Sequence, residues 1–184
     1  GLWSFATVTV LLATFNLFLP DKPNHIMLPS ALVFGGLAQF IAGYMALFRN
    51  NTFGGTLFVS YGAFWAGSGL MMLPSVSSTL DAYGSAHDLA IATGIYKLFW
   101  SFFSLMNVCI SLKVQGGNFM LTWCVSFVFL TLLFEGFGAL FSLIPLIRVS
   151  GVTAYLAGLG AYYLGIVDLF EEQGVHLWMG VYKH

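Results

Sequence analysis

The stretch Asn50–Trp65, NNTFGGTLFVSYGAFW, decides how the chain is read. It opens on two side-chain amides, passes Gly54 and Gly55, and runs apolar while carrying Thr56, Ser60 and Tyr61. Thr56 and Ser60 are four residues apart, so on a helix they share a face. A hydroxyl face entering an apolar helix suits a small polar solute crossing a membrane. The same spacing also suits hydroxyls that bond back to their own helix's carbonyls, and both readings stay open at this point.

The surroundings are as apolar as the stretch itself. The chain has 184 residues, 59% hydrophobic and 7% charged, with a mean hydropathy of +0.88. Soluble domains carry about 25% charged residues, so the chain reads as an all-α integral membrane protein with the lipid bilayer as its first partner. A net charge of -1 leaves no nucleic-acid footprint. Cys109 and Cys124 stand alone in apolar segments, and the four histidines (His25, His87, His176 and His184) fall in loops or the tail with no HExxH or other metal-ligand spacing. His87 beside Asp88 could draw an anion to an outer mouth when protonated, or simply be solvated. Neither metal nor cofactor is implied, nothing pairs a nucleophile with a base, and no secretory leader is read. An enzyme is therefore the least supported class.

A spanning helix needs about 20 apolar residues, and six segments qualify. They run over residues 2–19, 29–48, 54–73, 89–112, 119–144 and 152–170, one six-helix transmembrane domain over 1–184. All five prolines fall at the boundaries, where a residue without a backbone N–H does least damage. An even number of spans puts both termini on one side. Arg49, Lys113 and Lys183 against Lys22 and Arg148 then give a narrow vote for cytoplasmic termini. Small residues at four-residue spacing mark packing faces: Ala31, Gly35 and Gly43 with Gln39 among them, Ala157, Ala161 and Gly165, and beside these Ala154 and Gly158. Spacing alone does not say whether they pack within or between subunits.

Lys97 and Glu135 lie well inside spans, and Asp168 near the end of one. Lys97 follows Asp88 by nine residues and Glu135 precedes Pro145 by ten. At 1.5 Å per residue, both sit about 14 Å from the same membrane face. Either charge alone would cost about 3 kcal/mol or more, so a structural Lys97–Glu135 ion pair is expected. Two rivals stand beside it: Glu135 as a proton carrier, and Lys97 as a substrate contact.

Several motifs now converge. GLWSFA at the start is similar to the end of an Asn-Pro-Ala-Pro-Leu-Gly-Leu signature whose first residues would precede Gly1, and LLATFN places Asn16. GGLAQFIAG, from Gly35 to Gly43, resembles Gly-Gly-x-x-Gln-x-x-x-Gly. NNTFGGTLFVSYGAFW resembles Asn-Thr-Phe-Gly-x-Thr…Ser-Tyr-Gly-x-Phe-Trp, and IVDLFEEQG resembles an acidic Glu-Gln-Gly finish. By these residues the chain resembles the acetate/succinate transporter family, the GPR1/FUN34/YaaH group. The resemblance covers almost the whole chain and is weakest in the fourth and fifth helices, where Lys97 and Glu135 depart from the family pattern.

The resemblance implies a homo-hexamer in the plasma membrane, with one path per subunit for acetate and other monocarboxylates, and succinate in some members. It also implies a hydrophobic constriction, carried here by Phe5, Tyr61 and Leu130. A carboxylate in an apolar medium needs donors. The uncharged ones available are Asn16, Gln39, Thr56, Ser60, Tyr61 and backbone amides near Gly54 and Gly55, while Phe5, Leu130 and Trp65 would wall the methyl group. Proton-coupled transport is the leading expectation. A passive anion channel and a non-transporting scaffold or sensor are the alternatives.

Overall fold

The computed structural model describes residues 1–76, 81–114 and 117–180. Lys183 and His184 lie outside the described residues, as do two residues of the loop between the fourth and fifth helices. Among the described residues six long helices make the fold: α1 (Leu2–Phe18), α2 (Ser30–Phe48), α3 (Thr52–Met71), α4 (Ala86–Ser111), α5 (Phe119–Leu140) and α6 (Ile144–Glu171). Four of them (α2, α4, α5 and α6) are each long and apolar enough to cross a membrane, while α1 is apolar but only 17 residues long. The protein is a multi-pass membrane protein.

Local chemistry sets most helix starts. Asn51 caps α3, its Oδ1 accepting from Gly54 N at 2.9 Å. Ser85 caps α4 through Asp88 N at 3.0 Å, and Asn118 caps α5 through Leu121 N at 2.8 Å. These side chains satisfy amides that the first helical turn leaves free. The boundary between α5 and α6 differs from the sequence reading. That reading carried the fifth helix to Ile144 and began the sixth at 152. The chain instead turns after Leu140, with Ser142 at φ 53, and α6 starts at Ile144 with Pro145 in its first turn. Proline here opens a helix, where its missing N–H costs nothing.

Antiparallel neighbours pack closely in the pairs α1–α6, α2–α3, α4–α5 and α5–α6. The small-residue faces read from the sequence serve these contacts: Ala31, Gly35, Gly43, Ala154, Ala157, Gly158, Ala161 and Gly165 are all buried within the chain. Gly62 shows why: a Cβ there would stand 2.8 Å from Phe40 N of α2, against backbone that cannot move aside. Between α3 and α4 the bundle is filled by rings instead. Tyr61 and Phe64 of α3 meet Tyr96, Trp100 and Phe103 of α4. The first half of α2, Ser30–Ala38, is wound as a π-helix and passes into α-helix at Gln39. Such wide turns often sit at functional sites.

Candidate functional site

The bundle holds a cavity of about 450 Å³ open at one end. Its mouth lies where α2 hands over to α3 and α4 to α5, and carries Arg49, Asn50, Asn51, Asn118 and Asp168. Phe53, Leu57, Phe58, Leu121, Val125 and Leu164 form apolar walls. Gln39, Tyr61 and Val128 also line it. Each of these three is nine residues from its helix end at the mouth (Phe48, Thr52 and Phe119), about 14 Å deep. Together with the ring of Phe5 they make the floor. The Phe5 and Tyr61 ring centroids are 6.1 Å apart. Tyr61 Oη donates to Ser104 Oγ at 2.8 Å, and Ser104 Oγ donates to Trp100 O at 2.8 Å, so the tyrosine ring is held against α4.

Gln39 is the unusual member. It is fully buried, at 0% exposure, yet neither Nε2 nor Oε1 has a hydrogen-bond partner among the described residues. A buried amide left unpaired costs roughly 1–3 kcal/mol, and native interiors rarely tolerate that without a reason. Thr9 Oγ1 is in the same condition at 4% exposure, one helical turn beyond Phe5 on α1. The sequence reading did not single out Thr9. Its spacing of four from Phe5 was the available signal.

Other expected site residues lie elsewhere. Thr56 is exposed on the outer surface of α3, and Ser60 lines a shallow lateral groove with Phe99, Trp100 and Phe103. Tyr61 and Leu57 take the inner face, and Ser60 is about 100° of helix rotation away from Tyr61, Thr56 about 140°. Trp65 is a core residue, packed edge-on against Phe64 at 5.5 Å. Leu130 is half-buried and lines neither cavity nor groove. It stands about 200° around α5 from Val128, which takes the inward position. The amides of Gly54 and Gly55 are already bonded, to Asn51 Oδ1 and Asn51 O, so they offer an anion nothing. His87 sits in the first turn of α4, at the opposite end of the bundle from the mouth.

Beyond the floor, four helices meet at a polar cluster. Lys97 Nζ of α4 is 2.8 Å from Glu135 Oε2 of α5, with side chains 17% and 7% exposed. The ion pair expected from equal depth is present. Asn16 Nδ2 of α1 donates to Glu135 Oε1 and, at 3.1 Å, to Ser150 Oγ of α6. Asn16 therefore serves this cluster and does not line the open cavity. Lys97 Nζ also lies 5.1 Å from the Phe64 ring centroid, within cation–π range.

These features define a class: polytopic helical membrane proteins built around an internal cavity. Residues 1–182 match the model of the GPR1/FUN34/yaaH family, and the chain belongs to that family. It is 31% identical to the succinate-acetate/proton symporter SatP of Escherichia coli K12, with 94% of this chain and 87% of that one covered. It is also 31% identical to the ammonia transport outward protein 2 of Saccharomyces cerevisiae, over 96% of this chain and 62% of the relative. The chain thus spans about three fifths of the length of that yeast relative. Among solved structures, the bacterial acetate channel SatP superposes with a TM-score of 0.83 at 27% identity, covering 98% of this chain and 96% of that one. By their names these relatives and this structural neighbour are a proton symporter, an outward ammonia transport protein and an acetate channel.

Proposed function

We propose that this chain forms a path across the membrane for acetate and related short carboxylates, entered through the open cavity and narrowed at Phe5, Tyr61 and Val128. One observation carries the reading: Gln39, buried at the cavity floor with an unused donor and an unused acceptor. An unpaired amide donor on an apolar wall suits a solute with a carboxylate head and a methyl tail. Neutral donors bind weakly enough to release, as passage requires. The apolar rings beside Gln39 would exclude water and hydrated ions at the narrowest level.

Further parts of the proposal rest on the family and the named relatives: coupling to protons, succinate as a second substrate, hexameric assembly and a plasma-membrane location. Six membrane spans rest on the six apolar segments, and cytoplasmic termini on the narrow excess of basic residues on that side. A passive channel of the same architecture is the alternative. The test is uptake of labelled acetate into proteoliposomes, with and without an inward proton gradient. Saturable acetate entry supports the proposal. Accumulation against a gradient selects the coupled form, and simple equilibration selects the channel. The same vesicles are offered labelled methylammonium, because the yeast relative's name points to ammonia. Entry of methylammonium without entry of acetate overturns the carboxylate reading.

A further inference from the structure

We propose that Lys97 Nζ and Asn16 Nδ2 form a second carboxylate-binding site, occupied in this structure by the chain's own Glu135, and that a short carboxylic acid takes Glu135's place there. The site takes its ligand class from the proposed function but is tested without transport.

The donors already have the geometry of a receptor. One oxygen of the Glu135 carboxylate accepts from Asn16 and the other lies against Lys97, 2.8 Å away. Two N–H groups from different helices thus converge on one carboxylate, the arrangement of a strong charge-assisted contact. Both donors are held from behind. Ser150 Oγ accepts the second Asn16 contact and itself donates to Ile147 O at 2.6 Å, which sets the orientation of the amide. The Phe64 ring holds the ammonium. The reacting end of Glu135 is a CH₂–COO⁻ group, and acetate is that group cut from its stem.

The cluster also lies on the line of the cavity. Asn16 is eleven residues beyond Phe5 on α1, about 20° from it around the helix, and Glu135 is seven beyond Val128 on α5, again about 20° away. The unpaired Thr9 hydroxyl stands on α1 between Phe5 and Asn16. A solute that passes the floor therefore meets Thr9 and then the cluster.

Exchange keeps the charge balanced. An undissociated acid, RCOOH, gives its proton to the Glu135 carboxylate. The resulting RCOO⁻ takes the contacts to Lys97 and Asn16, and Glu135, now COOH, leaves them. No net charge enters the bundle, and the reverse step releases the acid.

The test is thermal unfolding of purified Glu135→Ala in detergent, titrated with acetate against sodium chloride at equal ionic strength. Glu135→Gln serves if the alanine variant does not fold. The expected result is an acetate-specific rise in Tm of about 5 °C at saturation, smaller in wild type where Glu135 competes for the same donors, lost in Lys97→Met/Glu135→Ala and retained in Gln39→Leu/Glu135→Ala. The proposal is overturned by no acetate-specific rise, by a rise that survives loss of Lys97, or by one that depends on Gln39. A positive result stands even if the wild-type protein moves no acetate.

Discussion

Phe5 and Tyr61 face each other at the cavity floor with ring centroids 6.1 Å apart, one from the first turns of α1 and the other from the middle of α3. The tyrosine is tied to Ser104 and backed by Phe103 and Trp100, so its ring is a fixed wall. Tyr61→Ala should admit bulkier carboxylates such as butyrate at about ten times the wild-type rate, since pocket shape discriminates methylenes by roughly that factor. Tyr61→Phe keeps the ring and should lose only about 1 kcal/mol of stability with the Ser104 bond. Competition uptake assays with acids of increasing chain length measure the first effect, and thermal unfolding the second.

Gln39 gives an opposite pairing of stability and activity. Its polar atoms bond nothing among the described residues, so Gln39→Leu removes an unpaid desolvation cost and should leave stability unchanged or raised. The same change removes the donor assigned to the solute. A lost hydrogen bond of about 1.4 kcal/mol corresponds to a tenfold fall in acetate flux. Unfolding and uptake measured on one preparation check both halves. Equal loss of stability and flux would mean that Gln39 is merely structural.

The Lys97–Glu135 pair should behave as a buried ion pair in either role. Lys97→Met alone leaves Glu135 uncompensated and should cost about 3–5 kcal/mol, whereas Lys97→Met/Glu135→Leu should recover most of it. Denaturant titration of the single and double variants reads the difference. A single variant as stable as wild type would show that the pair carries little energy.

Much of this arrangement was legible in the sequence, and the misplaced residues on α3 share one cause. Apolar run lengths located the helices, and two lone charges on successive antiparallel helices pointed to the Lys97–Glu135 contact. The two depths are less equal than the sequence count made them, because α5 ends at Leu140 and not beside Pro145. Spacing along a helix fixes the angle between two residues but not which direction points inward. On α3 that direction is set by Gly55, Gly62 and Gly69, which lie against α2. They turn Leu57 and Tyr61 to the cavity and Thr56 and Ser60 away from it. On α5, Leu130, which the family resemblance supplied, stands about 200° around the helix from Val128, the residue that lines the cavity. Gln39 was identified from its motif, but its unpaired state appears only when every neighbour is in place. The start of α6 was missed because a proline ends one helix and opens another with equal ease.

That rotation of α3 yields a direct negative expectation. Thr56→Val and Ser60→Ala should leave acetate uptake within about twofold of wild type, because surface and groove positions change stability by only about 0.5 kcal/mol. A tenfold loss in either would return these hydroxyls to the path and contradict the geometry of the site.

The central claim is that the carboxylate passes through this cavity, and blocking the cavity tests it most directly. In a Cys109→Ser/Cys124→Ser background, Phe58→Cys places a thiol on the cavity wall and Thr56→Cys places one two residues away on the outer surface. Each is treated in proteoliposomes with a sulfonated methanethiosulfonate reagent, and labelled acetate uptake is followed. The account predicts that modification stops flux through Phe58→Cys and leaves Thr56→Cys unaffected. Undiminished flux through fully modified Phe58→Cys would contradict it.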